Sequence, residues 1–260
     1  MPRIARVVIP GFPHHVTQRG NNRQRVFFAD GDRRLYLELL QRHAARYGLE
    51  VLGYCLMDNP VHLVAAPRRA DSLAKALGRA HFLYTLAVNR RTGRSGHLWQ
   101  NRFYSCSLDE EHLWTALAYV ELNPVRAGIV RRAWRYPWSS AAGHVGAGFA
   151  GARAARREDA SAEGRGPDAA PGTSNPPAGL LDLVAWRKML APGVDWKQTL
   201  SAGLPKERVA ELRADTRTGR PCGNAAFVRR LEGALGRRLH PLPGGRPRKR
   251  PGKARKRACP

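Results

Sequence analysis

The chain has 260 residues, 43% of them hydrophobic, which can bury one sizeable core and leaves room for a second small module. With 45 Lys and Arg against 20 Asp and Glu, the formal charge is +25 and the pI is near 11.3, the balance of a chain that works against polyphosphate, although an Arg-rich genome inflates the same count. The cysteines Cys55, Cys106, Cys222 and Cys259 form no CxxC pair, which argues against a zinc ribbon or a disulfide framework. No apolar run approaches the ~20 residues needed to span a bilayer, and MPRIARVVIPG lacks the apolar region of a signal peptide, so a cytoplasmic, nucleoid-associated protein without a membrane partner is expected.

In chain order, HHVTQR is a short alternating segment suited to a strand, with His15 and Thr17 on one face. The loop GNNRQ follows. Asp30 or Asp32 caps a helix whose apolar positions Leu35, Leu39, Leu40 and Tyr47 recur at helical spacing, and Gly48 stops it. LEVLGYCLM reads as a strand, DNP as a turn and VHLVAA as a second strand hairpinned to it. Asp71 and Ser72 open a helix with Leu73, Ala76, Leu77, Ala80, Leu83 and Ala87 on one face. RRTGRSG is a basic turn, HLWQNRFYSCSL is strand-like, and DEEHLWTALAYVELNP is a helix that starts on three acids and ends at Pro124.

The order β-α-β-β-α-β followed by a helix is that of a ferredoxin-like α+β domain, assigned to residues 1–144. Residues 145–178 are poor in large apolar side chains and read as a disordered linker. LLDLVAWRKML, PKERVAELRAD and NAAFVRRLEGAL then give three short helices. Residues 179–240 are read as a small helical, helix-turn-helix-like module, the alternative being that these helices pack back on the first domain. The basic stretch 241–260 reads as a disordered tail, whose Arg246 and Arg248 suit either a minor-groove arm or plain phosphate attraction.

His62 sits inside an apolar strand, where a lone histidine is more often a core residue than a ligand; Pro60 and Val64 share its face. Tyr119 and Asn123 lie one turn apart on the border of the last helix, so they touch the same patch of whatever that helix covers. Arg19, Arg23 and Arg25 flank the loop after the first strand, and with Arg102 they are candidate phosphate contacts; a solvated basic loop is the plain alternative for the first three.

The segments YCLMDNPVHLV, SGHLWQNRFYSCSLDEEHLWTALAYVELNPVRAGIV and YPWSSAAGH, in this order over roughly the first 140 residues, resemble the REP-associated tyrosine transposases, relatives of the single-tyrosine transposases of small insertion sequences. The resemblance implies a ferredoxin-like nuclease domain of the HUH type, in which a His-hydrophobic-His motif holds Mg²⁺ or Mn²⁺ and a helix tyrosine attacks DNA. A 5′-phosphotyrosine and a free 3′-hydroxyl result. The implied substrate is single-stranded or hairpin DNA of the repetitive extragenic palindrome type, bound by a monomer or homodimer. Carried over by position, His62 is the second motif histidine, Tyr119 the nucleophile and Asn123 the residue that helps hold metal or water.

The position of the first motif histidine is Pro60, which has no ligating atom. Three arrangements accommodate that departure. The site is rebuilt with His15 or His14 from the neighbouring strand and oxygen from Asp58 or Asn59; or metal binds weakly through His62 and Asn123; or nuclease activity is lost and DNA-hairpin binding remains.

Overall fold

The computed structural model describes residues 6–147 and 176–240. Strands β1 (His14–Gln18), β2 (Leu49–Leu56), β3 (Val61–Pro67) and β4 (Tyr104–Ser107) form one antiparallel sheet in the order β2-β3-β1-β4. Helix α1 (Asp30–Tyr47) links β1 to β2, α2 (Ser72–Thr92) links β3 to β4, and α3 (Glu110–Glu121) follows β4. This is the ferredoxin-like α+β domain expected from the alternation of elements. Linker residues 148–175 and tail residues 241–260, with Arg246, Arg248 and Cys259, lie outside the described residues. No described helix is long and apolar enough to cross a membrane.

The helix ends follow from their chemistry. Asp32, one turn into α1, accepts from the backbone N–H groups of Phe28 (2.7 Å) and Ala29 (3.0 Å), and Gly48 ends the helix at φ 64°. Asp109 caps α3 by accepting from the His112 amide at 2.9 Å, with Glu110 and Glu111 in the first turn. The short turn α4 (Asn123–Arg126) continues from α3. Pro124 cannot donate to the carbonyl of Val120, and the Asn123 side-chain amide donates there instead (3.2 Å) as well as to the Tyr119 carbonyl (3.1 Å). The expected long strand HLWQNRFYSCSL is confined to Tyr104–Ser107, because Asn101 turns to φ 59° just before it.

Helix α3 lies over β2, β3 and β1, whereas α1 and α2 pack on each other and on β2. The close approach of α3 to β2 depends on Gly53, where an added Cβ would stand 2.7 Å from Leu117 Cδ2 and 3.2 Å from Ser140 Oγ. Ser140 precedes α5 (Ala141–His144).

After the linker come α6 (Leu183–Met189), α7 (Trp196–Ala202), α8 (Lys206–Thr218) and α9 (Ala225–Leu235). Helix α7 was absent from the sequence reading; its one signal is Asp195, which caps it by accepting from the amide of Lys197 at 2.8 Å. These helices bury their apolar side chains together with residues of the first domain. Leu180, Trp186, Trp196, Leu200, Leu212 and Cys222 join the core of the first domain, and Phe227, Val228 and Leu231 pack with Val7. In place of a free-standing helix-turn-helix-like module, the chain packs back on the first domain, because short helices with one apolar stripe must bury it somewhere. The junction includes a buried carboxylate: Glu121 of α3 accepts from Ser140 Oγ (2.5 Å) and from Trp196 Nε1 of α7 (2.8 Å), and lies 2.5 Å from His144 Nδ1.

Candidate active site under α3

Three rings meet where α3 crosses the sheet. His62 on β3 stands opposite Thr17 on β1, so His15, two residues along β1, is its diagonal neighbour on the same face. The His15 and His62 rings lie 5.5 Å apart and nearly parallel, and the Tyr119 ring from α3 meets both edge-on, at 5.4 and 5.6 Å. All three residues are buried.

The hydrogen bonds fit one set of imidazole tautomers. Thr216 Oγ1 of α8 lies 2.7 Å from the carbonyl of Leu212, 2.7 Å from His15 Nδ1 and 3.2 Å from Cys106 Sγ; with its one proton on the carbonyl, it acts as acceptor toward His15. His15 therefore carries its proton on Nδ1 and offers Nε2 as an acceptor, 3.3 Å from His62 Nδ1. His62 in turn is protonated on Nδ1, which also lies 3.2 Å from Thr17 Oγ1, and its Nε2 keeps a lone pair with no partner among the described residues. Burial holds both imidazoles neutral. His15 is lowered to about 3 by desolvation and then by Arg126, and His62 is lowered well below its ordinary value by desolvation, then His15, Arg126, Arg19 and Arg213.

Two guanidinium groups border Tyr119. Arg213 of α8 donates from Nε to the Tyr119 hydroxyl at 3.1 Å. Arg126 of α4 lies 4.1 Å from the ring centre, donates to the Tyr119 carbonyl (3.0 Å) and holds Asn123 Oδ1 (2.6 Å). Both arginines are exposed residues, whereas Tyr119 is 4% exposed.

The other sequence-predicted residues are placed as follows. Asn123 lies beside Tyr119, but its amide is committed to backbone carbonyls and to Arg126. Asp58 is paired with Arg25 (2.9 Å) and Arg33, and Asn59 binds the backbone of Gly20 and Gln24. His14 points its Nδ1 at the Phe12 carbonyl (2.8 Å), away from this set. Pro60 precedes β3 at the turn. Arg19, Arg23, Arg25 and Arg102 are exposed, and Arg19 is close enough for its charge to bear on His62. Sequence reasoning missed Arg126, Arg213 and Thr216 as site residues. Arg126 lies two turns beyond Tyr119 and was legible in principle; the two α8 residues had no local signal.

This donor set does not fit a divalent cation. Of the expected ligands, His15 and His62 come together but are hydrogen-bonded to each other, while the Asn123 amide is occupied and the Asp58 carboxylate is paired elsewhere. Among the described residues, no group of three or more His, Cys, Asp or Glu could hold a metal ion. A dication here would face the charges of Arg126, Arg213 and Arg19.

Residues 11–123 match the family model described as "Transposase IS200 like". A Haemophilus influenzae protein named as a REP-associated tyrosine transposase is 27% identical over 105 residues, 36% of this chain; the chain thus spans 60% of that relative's length. Among solved structures, a REP-associated tyrosine transposase bound to a REP hairpin is similar at TM-score 0.47 and 17% identity, over 54% of this chain and 82% of that one. A protein named as a transposase from Deinococcus radiodurans is similar at TM-score 0.33 and 21% identity, over 46% of this chain and 96% of its own. Residues 11–123, which hold β1, β3, α3 and with them His15, His62 and Tyr119, carry the likeness to the IS200-like transposases, and the curated relative is named for the REP-associated tyrosine transposases.

Proposed function

We propose that the protein binds single-stranded or hairpin DNA and cleaves and rejoins it through Tyr119. The observation that carries this reading is the position of Tyr119 within the transposase segment: its ring is fixed against His15 and His62, and its hydroxyl is held by Arg213. In the forward step the Tyr119 oxygen–phosphorus bond forms and the phosphorus–3′-oxygen bond breaks. The phenolic proton ends, by way of solvent, on the released 3′-hydroxyl. Storing the phosphodiester energy in the protein–DNA bond allows resealing without a further energy source. In that reverse step the tyrosine oxygen leaves, and the Arg213 guanidinium is placed to stabilise the charge developing on it. The hairpin character of the substrate is taken from kinship with the REP-associated transposases, and the formal charge of +25 supplies attraction for any DNA backbone.

The test is covalent capture. Labelled hairpin oligonucleotides with single-stranded flanks are incubated with the protein, and denaturing electrophoresis is read for a retarded adduct. Wild type is expected to form it and Tyr119→Phe to form none; adduct persisting in Tyr119→Phe overturns the nucleophile assignment. A second reading, DNA-hairpin binding without cleavage, is favoured by Pro60, which supplies no donor where the family has a histidine. Tight binding with no adduct from wild type, alongside adduct from Pro60→His, selects it.

A further inference from the structure

Some of the protein's described arginines are matched by carboxylates. Arg25 and Arg33 pair with Asp58, Arg91 with Asp32 and Arg208 with Glu111. Among the described residues, neither Arg126 nor Arg213 has a carboxylate at ion-pair distance, yet the two flank one phenol ring, at 4.1 and 5.6 Å from its centre. Two cations held together with no anion between them are destabilising by themselves. At Arg126, although the residue is exposed, loss of water around the group lowers its pKa, Tyr119 raises it and the Arg213 charge lowers it.

We infer that Arg126 and Arg213 form a phosphate clamp on Tyr119, which binds the scissile phosphodiester and meets its charge in the role a divalent cation would otherwise have. This rests on the reading of Tyr119 as the nucleophile. Guanidinium groups suit the task because their planar forks bind phosphate oxygens in pairs, stay charged at any working pH and need no carboxylate cage. Access fits as well, since the two exposed arginines rim a buried phenol and an incoming phosphate meets them first. Arg126 also lines a groove of about 450 Å³ with Arg131, Arg132 and Trp134, where the strand beyond the phosphate finds further cations and an aromatic face. As the Tyr119 oxygen–phosphorus bond forms and the 3′-oxygen leaves, the added charge falls on the non-bridging oxygens, between the two forks.

The experiment uses the full chain in two measurements. The rate of adduct formation with the hairpin oligonucleotide is compared in EDTA, Mg²⁺ and Mn²⁺, for wild type, Arg126→Gln, Arg213→Gln and the two Lys variants. The clamp predicts an equal rate in EDTA, a loss of ~10–100-fold in each Gln variant, and partial recovery with Lys, which keeps charge but not the fork. Inorganic phosphate is also titrated into ¹⁵N-arginine-labelled protein without DNA. Saturable shifts of the Nε–H resonances of both Arg126 and Arg213 are expected. Adduct that requires a divalent cation, or the absence of phosphate-dependent shifts at these arginines, overturns the clamp. Phosphate shifts without adduct under any condition show that the two arginines bind phosphate but remove the tyrosine-attack reading, and with it the clamp's role at a scissile phosphodiester.

Discussion

Thr216 has one hydroxyl proton, and with that proton on the Leu212 carbonyl the threonine oxygen is the acceptor that fixes His15 and, through His15, the tautomer of His62. Thr216→Val removes that acceptor and buries an unpaired imidazole N–H, a loss of ~1–3 kcal/mol in stability. Its ¹⁵N imidazole shifts are expected to show mixed tautomers at His15 and His62, whereas Thr216→Ser restores the wild-type pattern; unchanged shifts in Thr216→Val refute the assignment. At this scale the sequence was partly legible. His62 and Tyr119 were reached through the motif runs, and His15 because a neighbouring strand in this topology must face His62. Thr216 and Arg213 were not, since a side chain that contributes through tertiary packing, 201 positions from His15, leaves no local pattern.

The contact between α3 and β2 carries the geometry of the tyrosine. Gly53→Ala puts a methyl carbon 2.7 Å from Leu117 Cδ2, two residues before Tyr119, and the Leu117 side chain, or α3 with it, must shift to accept it. The expected cost is ~1–3 kcal/mol, measured as a lower urea midpoint with unchanged slope. A midpoint equal to wild type would show that α3 has room to move. The elements that position this contact were readable from capping and periodicity: Asp109 with three acids for α3, Gly48 for the end of α1, alternation for β2 and β3. The HLWQNRFYSCSL segment was not, because the positive φ at Asn101 breaks a run that composition alone reads as extended. Helix α7 was also missed. Its seven residues are too few for a periodic stripe, and they are held by Trp196 meeting a buried Glu121 instead.

Across the whole molecule, buried neutral histidines govern the response to acid. Desolvation lowers His14 to about 4 and His81 to about 3, against an ordinary value of 6.5. Below pH ~6.5 the unfolded chain takes up protons that the folded chain refuses, so stability falls as pH drops toward the folded values, by up to ~1.4 kcal/mol per pH unit for each histidine. Urea midpoints should decline steadily from pH 7 to pH 5, and the His81→Gln variant should show a shallower decline; equal slopes would remove His81 from this account. The domain order was the least legible feature at this scale, because the stretch that separates residues 147 and 176 reads as a boundary while the helices beyond it share the first domain's core.

That shared core bears on how the protein can be inherited. The segment matched by the transposase family ends at residue 123, yet the hydroxyl that sets its histidines and the guanidinium that holds its tyrosine come from α8. The matched segment is therefore not a portable cassette: recombined onto a different C-terminal region, it would keep His15, His62 and Tyr119 and leave behind the hydroxyl and the guanidinium that His15 and Tyr119 are bonded to.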